Sequence, residues 1–449
     1  MAIEDALAQW LGSQRWFAGK GQGPRDLAIV ADTELVPGDP ALRHLIVAVT
    51  HGQTVDYYQI LVGLRRRLPD RLGHVRIGPV GDGPGGGRIA YDALHDADLT
   101  KPLLAAMAAN ADLGPLQLRK VDGALFETHA DSLVLTAEQS NTSLVFGEES
   151  ILKVFRRLSP GPNPDLEVST ALHSLGSPQV VEPLGWIETT LEGVPTSLAI
   201  LSRYLRLATD GWTLAATSVR DLYASPDMRA ADAGGDFSGE ARRLGAATAQ
   251  VHADLAAAFG TDELSVEAVG ELTERMFRKA DLAVAAVPEL GKHADMIGDA
   301  YAALAKLPGP FPVQRVHGDY HLGQVMRTET GWVVLDFEGE PATPLAQRRA
   351  RSSALRDVAG MLRSFDYAAR HQLIGHPEQV PLNDVARDWV RRNAAAFCAG
   401  YAEAGGLDPE ANRVLLRALQ LDKAVYEVLY EARHRPSWLS IPLDSLAEF

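Results

Sequence analysis

Three side chains in the stretch 313–341, VQRVHGDYHLGQVMRTETGWVVLDFEGEP, have the types and spacing that phosphoryl transfer needs. Moving a phosphoryl group from a nucleotide takes positioning, neutralisation of charge by metal, and a carboxylate that orients the acceptor hydroxyl. Asp319, which follows His-Gly, would accept the acceptor's proton. Gln324 would lend an amide oxygen to a divalent cation, and Asp336, at the end of an apolar run, would hold that cation against the phosphates. The plain structural alternative is a turn, VHGDYHLG, feeding a strand over residues 332–335 with an Asp cap behind it. A His-Gly-Asp alone would carry little weight. The whole pattern of loop Asp, amide five residues on, short hairpin, apolar strand and terminal Asp is far more specific, and it favours the chemical reading.

The spacing from Asp319 to Gln324 is that from Asp to Asn in a protein-kinase catalytic loop, and Asp336-Phe337-Glu338 stands where such kinases carry Asp-Phe-Gly. Gln in place of Asn keeps the amide oxygen and lengthens its reach by one methylene. A centre of this kind needs a lysine upstream. Residues 138–157, EQSNTSLVFGEESILKVFRR, read as a loop from Glu138, a strand, a turn at Gly147 and a second strand that carries Lys153 among Leu152, Val154 and Phe155. Such a lysine can neutralise nucleotide phosphates; taken alone it would be an edge-strand lysine facing water. Its acidic partner is expected to be Glu167 on the helix NPDLEVSTALHSLG, with Asp165 as competitor and Asn163 or Asp165 near the helix start. The loop QSNTS has no glycine, so Ser140, Asn141, Thr142 and Ser143 are expected to meet phosphates through side chains and amides. The apolar strand TSLAILSRYL, 196–205, ends in Ser202, Arg203 and Tyr204, where adenine would dock.

These groups need scaffolding. The chain has 449 residues, 46% of them hydrophobic, enough for about three domains. With 58 acidic and 43 basic residues its formal charge of −15 repels nucleic acid and anionic membranes. One cysteine, Cys398, excludes an intrachain disulfide framework. The start, MAIEDALAQWLG, has no secretory pattern, and no run approaches the ~20 apolar residues of a membrane span. A cytoplasmic enzyme acting on a small molecule, with no nucleic acid and no membrane partner and monomeric on its own, is the expectation.

Residues 4–12 read as an amphipathic helix followed by SQRWFAGKGQG, in which Arg15, Trp16 and Phe17 would dock the helix end onto a sheet rather than bind a ligand. LAIVADTEL, LRHLIVAVTHG and QTVDYYQILVGL read as strands, with a hairpin turn at His51-Gly52. GPVGDGPGGGR, 78–88, lacks the Gly-Lys-Ser/Thr of a phosphate loop and is broken by Pro84, so it reads as a surface loop or boundary. The expected domains are a cap over 1–88, a nucleotide-binding lobe over 89–206 and a helical lobe over 207–449. In that last lobe, Leu244, Ala247, Val251 and Leu255 mark a buried helical face with a structural His252, and Ser238 is its N-cap candidate. Asp357, on LRDVAGMLRSFDYAAR, is either an anchor for the catalytic loop or an exposed carboxylate. The final helix puts Lys423, Glu427, Tyr430 and His434 on one face with Tyr426 and Glu431 adjoining, a mixture of charged hydrogen-bonders and rings suited to sugar hydroxyls.

Over essentially its full length the chain resembles the actinobacterial maltokinases, through QRWFAGKG, AEQSNTSLVF, ILKVFRR, SVRDLY, GGDFSGEARRLG, VHGDYHLGQV, LDFEGEP, LRDVAGMLRSFDYAA and LDKAVYEVLYEARHRPSWLSIPL. The broader relation is to aminoglycoside- and choline-kinase-like enzymes. The resemblance implies an α+β, bilobal protein-kinase-like fold of the aminoglycoside phosphotransferase type, with an N-terminal cap. It also implies phosphorylation of maltose at its anomeric hydroxyl with ATP and magnesium, feeding α-glucan (glycogen) synthesis from trehalose. The implied catalytic base is Asp319, the metal ligands Gln324 and Asp336, and the nucleotide lysine Lys153. Sugar contacts would fall on His317, Asp319, Lys423, Tyr426, Glu427, Glu431 and Trp438. Tyr320 departs from the expected Leu. The alternatives are a kinase of another sugar, such as glucosamine or a trehalose-related compound, and a non-catalytic module docked on a trehalose synthase.

Overall fold

The computed structural model describes residues 2–18, 26–52, 54–81, 87–135, 140–224, 228–232, 235–340, 343–375 and 379–449. Gly19 and Lys20, Pro84 and its flanking glycines, Glu138 and Gln139, Gly234, and Pro341 lie outside the described residues. The chain forms two compact units, residues 1–170 with 181–206, and residues 171–180 with 207–449.

The first unit opens with helix α1, Ile3–Leu11, and an antiparallel sheet of β1 Asp26–Val36, β2 Ala41–His51, β3 Thr54–Arg65, β4 Arg76–Val80 and β5 Arg88–Asp92, in spatial order β1-β2-β3-β5-β4. The sheet thus runs to Asp92. The alternation of β2 assigns its two faces. Leu45, Val47 and Val49 join Leu7, Trp10 and Leu11 of α1 in one core, whereas Leu42 and Ile46 face a second core. The aromatic pair after α1 docks as expected: Phe17 lies 5.2 Å from the Tyr58 ring, and Trp16 lies 5.9 Å from Tyr58 and 5.8 Å from Trp10.

The second core is shared with helix α2, Ala97–Ala108, and a seven-stranded antiparallel sheet. Its strands are β6 Asp112–Leu113, β7 Leu116–Lys120, β8 Ser132–Val134, β9 Thr142–Phe146 and β10 Ser150–Val154, joined by β12 Pro183–Leu191 and β13 Val194–Arg203. The short β11, Arg157–Leu158, pairs with β3. Helix α3, Pro164–Ser174, follows it. Gln59 ties the layers, donating its amide hydrogens to the carbonyls of Phe155 and Leu198. Its oxygen faces buried His44 Nε2 at 3.1 Å.

Burial lowers the His44 imidazole from 6.5 to about 4, with the Gln59 hydrogen bond and nearby Asp32 opposing. Because the folded value is depressed, the unfolded chain takes the proton first as pH falls. The stability associated with neutral His44 is intact above pH 6.5 and is lost between pH 6.5 and 4, by on the order of 3 kcal/mol. His44→Gln should remove that slope; urea midpoints at pH 7 and pH 5 that fall equally in both proteins would contradict this.

In the second unit β14, Thr209–Asp210, leads to α4, Gly211–Tyr223, and α5, Ser238–Phe259. Asp236, not Ser238, starts α5, taking the Ser238 backbone N–H at 3.1 Å and its hydroxyl at 2.7 Å. The hairpin strands β15 Thr261–Leu264 and β16 Phe311–Gln314 enclose helices α6 Val266–Ala286 and α7 Ala294–Ala305. Strands β17 Val325–Arg327 and β18 Trp332–Val334 form the hairpin that follows the loop carrying Asp319. Helices α8 Leu345–Arg348, α9 Leu355–Arg370, α10 Gln379–Glu403, α11 Arg413–His434 and α12 Ser440–Leu446 complete it. Every residue of α9 but Arg356 is buried, making it the spine of this unit. Helices α5 and α10 touch backbone to backbone: a Cβ on Gly245 would sit 2.1 Å from the Phe397 carbonyl oxygen. Gly245→Ala is therefore expected to cost about 1–3 kcal/mol in thermal or urea unfolding; an unchanged midpoint would show that the two helices part freely. Among the described residues, no helix is long and apolar enough to cross a membrane.

Candidate active site

Each unit carries one set of chemically capable groups. In the first, Lys153 sits on β10, which has β9 and β13 on its two sides, so it is not an edge lysine. Its Nζ lies 3.1 Å from Asp165 Oδ2 and 5.8 Å from the Phe155 ring centroid. Both side chains of the pair are largely withdrawn from solvent, which strengthens their attraction relative to a surface pair. Asn163 starts α3 by accepting the Asp165 N–H on its side-chain oxygen at 2.8 Å and the Glu167 N–H on its carbonyl at 3.0 Å. The structure thus gives Lys153 the carboxylate of Asp165. Asp165 is the competitor expected for that pairing, and Glu167 lies half-buried two residues further along the helix.

In the second unit the loop between β16 and β17 is held from below. Asp357 on α9 accepts the backbone N–H groups of His317 at 2.7 Å and Gly318 at 2.9 Å, and its Oδ2 lies 3.0 Å from His252 Nε2. Burial would push this carboxyl up, but His252, His317 and the Gly318 amide outweigh it and hold it below its ordinary value. The anchor reading of Asp357 is met, and His252, bonded also to the Tyr401 hydroxyl at 2.8 Å, is structural as expected. Close approach is needed here as well: a Cβ on Gly360 of α9 would lie 2.5 Å from the Tyr320 carbonyl oxygen. Tyr320, in place of the expected Leu, is buried and exchanges a 2.8 Å hydrogen bond with Thr248 on α5.

The His317 ring also braces the loop. Its Nε2 is 2.8 Å from the Leu335 carbonyl and its Nδ1 accepts the Asp319 N–H at 3.3 Å, while Phe337 and Tyr320 flank it at 5.0 and 5.3 Å. With both nitrogens committed and only 2% exposed, His317 positions Asp319 and is not a sugar contact. Past β18 the chain turns at Asp336, whose φ of +61° lies in the left-handed region that few non-glycine residues adopt. Strain of this sort, of order 1–3 kcal/mol, concentrates where a side chain must be aimed. Here it brings Asp336 Oδ2 within 3.2 Å of Gln324 Nε2. Glu338 adds a carboxylate oxygen within 4.8 Å of that of Asp336. The Asp336 and Glu338 carboxylates are hard-oxygen donors of the kind a magnesium ion takes, and the Gln324 amide stands beside Asp336, so these residues fit one.

Asp319 is also tied to the last helix. Lys423 Nζ on α11 reaches Asp319 Oδ1 at 3.4 Å and Glu340 Oε1 at 2.8 Å, and lies 4.8 Å from the Tyr426 ring. Burial lowers the lysine's affinity for its proton, but Asp319 and Glu340 more than offset that and hold it above the ordinary lysine range. Lys423, Tyr426, Glu340, Gly318 and Arg356 line a cavity of about 730 Å³ that continues past Leu415, Leu419 and Phe311.

Two family models match the chain: "Maltokinase N-terminal cap domain" over residues 10–96, and "Phosphotransferase enzyme family" over residues 151–408. The chain belongs to the phosphotransferase enzyme family. It is an enzyme that moves phosphate onto a hydroxyl acceptor, on an α+β fold of the aminoglycoside phosphotransferase type with an N-terminal cap. A protein named glucosamine kinase from Streptacidiphilus jiangxiensis is 32% identical over 386 residues, 82% of this chain and 84% of that protein. One of the same name from Mycolicibacterium smegmatis (strain ATCC 700084 / mc(2)155) is 31% identical over 320 residues, 69% of this chain and 77% of the other. A solved structure described as glucosamine kinase in complex with glucosamine, ADP and inorganic phosphate is similar, with a TM-score of 0.69 at 27% identity, covering 99% of this chain and 98% of that one.

For this phosphotransferase several expected contacts fall elsewhere. Thr142 and Ser143 are buried in β9, and the Thr142 hydroxyl accepts a 2.8 Å hydrogen bond from Arg156, which leaves Ser140 and Asn141 as the more accessible polar side chains of that loop. Ser202 lies on β13 between β10 and β12, and just beyond that strand the Tyr204 backbone N–H is already given to the Glu149 carbonyl at 2.8 Å. Of the α11 residues expected to touch sugar, Lys423 and Tyr426 line the cavity, beside Leu415, Leu419 and Asp422 of the same helix. Glu427 is paired with Arg363 of α9 at 2.8 Å, and Glu431 accepts from the Tyr367 hydroxyl at 3.1 Å and pairs with Arg435 at 2.7 Å. Trp438 packs on Arg435 at 4.4 Å and on the Tyr367 ring at 6.4 Å. These three build the α9–α11 contact rather than the cavity wall. Glu340 and Glu338 were not singled out from the sequence; the signal available was their alternation with Asp336 in LDFEGEP.

Proposed function

We propose that the enzyme is a cytoplasmic maltokinase that converts ATP and maltose to ADP and maltose 1-phosphate for α-glucan synthesis from trehalose. The observation that carries this reading is the Lys423 bridge, which ties Asp319 to the wall of a 730 Å³ cavity. Pockets of about 300–1,000 Å³ take ligands of drug size, so a disaccharide is within its capacity. The match of residues 10–96 to a maltokinase cap supports the same acceptor.

In this reading Asp319 takes the proton of the anomeric hydroxyl as its oxygen bonds to the γ-phosphorus and the bond to ADP breaks. Lys423 pairs with the Asp319 carboxylate, and Lys153, oriented by Asp165, supplies positive charge to the nucleotide phosphates. Gln324 and Asp336, with Glu338, would hold magnesium, which when bound neutralises phosphate charge. A glucosamine kinase is the second reading. It is favoured by the names of the relatives and by Glu340, whose carboxylate could take an ammonium where it now takes Lys423. ADP release measured with maltose, glucosamine, glucose and trehalose separates the two: kcat/KM is expected to be highest for maltose, and turnover of glucosamine with inert maltose would reverse the assignment.

A further inference from the structure

The Lys423 bridge bears on which acceptors the cavity admits. Among the described residues three carboxylates line the 730 Å³ cavity, those of Glu340, Asp357 and Asp422, and each is already engaged. Glu340 takes Lys423 Nζ at 2.8 Å and has the Arg356 guanidinium at 3.9 Å. Asp357 holds the His317 and Gly318 amides and lies against His252. Asp422 is paired with Lys279 of α6 at 2.7 Å. On the same α6 wall the exposed Arg275 adds a positive charge and stands in no ion pair among the described residues. Of these three carboxylates, none is left over for a cation carried in by an acceptor.

The place such a cation would take is itself filled. An acceptor whose hydroxyl meets Asp319 brings the substituent on its adjacent ring carbon beside the same carboxylate. Lys423 Nζ already stands there, 3.4 Å from Asp319 Oδ1, with the Tyr426 ring at 4.8 Å as a further surface for a cation. Two carboxylates and a ring face are what a protein offers to an alkylammonium ligand, and here the ammonium belongs to the chain. None of the Lys423, Asp319 and Glu340 side chains is more than 24% exposed, so a second ammonium brought beside the first is repelled with little screening.

We propose that Lys423 sets the acceptor class: its ammonium occupies the position of a cationic acceptor group, so the enzyme phosphorylates neutral sugars and turns amino sugars away. This rests on the proposed roles of Asp319 as base and of the cavity as acceptor site. Removing the Lys423 charge opens the position to an amino sugar, whose own ammonium then faces Asp319 and Glu340.

The test compares kcat/KM at about pH 6.5, below the ordinary range of an amino group, for two pairs of sugars that differ only by a hydroxyl or an ammonium at C2. They are D-glucose with D-glucosamine, and maltose with 2-amino-2-deoxymaltose; the readout is the amino-to-neutral ratio in the pair that is turned over. Wild type should favour the neutral sugar about tenfold or more, since like charges brought together are costly. Lys423→Met, which keeps the length of the side chain and removes its charge, should slow the neutral sugar and raise the ratio about a hundredfold. Glu340→Gln, which keeps Lys423 and removes a carboxylate, should lower the ratio further. Opposite signs in the two variants follow from charge, whereas a loosened cavity would move both the same way. A wild-type preference for the amino sugar, a rise of less than about threefold in Lys423→Met, or a rise in both variants would overturn the proposal. If a urea midpoint shows that Lys423→Met does not fold, the wild-type ratio and the direction of the Glu340→Gln shift decide. Inert maltose with the glucose pair behaving as described would instead remove maltose as the acceptor and leave the role of Lys423 standing.

Discussion

Asp319→Asn is expected to lower kcat by roughly a thousandfold, within the 10²–10⁴ that a positioned general base contributes, while nucleotide affinity stays nearly unchanged. The substitution keeps the size of the side chain and removes its basicity. Lys423 retains Glu340 at 2.8 Å, so the ammonium is not left stranded. The backbone of residue 319 still donates to His317 Nδ1, and His317 and Gly318 still hang from Asp357, so the loop itself should persist. The loss should therefore appear in kcat and not in folding. Single-turnover rates beside calorimetric nucleotide binding and a urea midpoint provide the check; a variant within tenfold of wild-type kcat would remove Asp319 from the role of base.

Asp357→Ala should do damage of a different kind. It leaves two buried backbone N–H groups and the His252 Nε2 without their acceptor, at roughly 1–3 kcal/mol each before relaxation. Losses of this kind do not sum fully, and removing one member of a buried charged network costs about 3–5 kcal/mol. The carboxylate touches no reacting atom, so its catalytic effect comes from displacement of Asp319. A misplacement of about 1 Å can cost 10²-fold in rate. We expect kcat to fall about a hundredfold at temperatures where the variant is folded, with KM for the acceptor little changed. Asp357→Asn, which keeps one acceptor oxygen, should recover part of both losses. If Asp357→Ala lowered stability but kept wild-type kcat, the loop would have to be positioned by other contacts.

The parts of the site legible in the sequence are those whose meaning is local. The Asp319 loop, the Gln324 amide and the strand running into Asp336 lie within one continuous stretch, and the apolar neighbours of Lys153 announce a strand before any partner is known. Residues whose surroundings depend on distant elements are less legible. Asp165 and Glu167 sit two residues apart, about 200° around a helix, and the direction in which α3 presents itself to β10 is what brings Asp165 to Lys153. Thr142 and Ser143 look like loop polar groups until Arg156 and the neighbouring strands cover them. Lys423 and Glu427 share a helical face in sequence, yet the structure gives the first to the cavity and the second to Arg363, because α9 covers the continuation of that face. Glu340 lies in a loop where no periodicity constrains it, and its worth appears only through Lys423.

The most direct measurement of the central claim is phosphorus NMR of the product formed from ATP and maltose. The account predicts a phosphomonoester resonance coupled to the anomeric proton of maltose, appearing with equimolar ADP and absent with Asp319→Asn. Unmodified maltose under conditions in which the same enzyme phosphorylates glucosamine would contradict it.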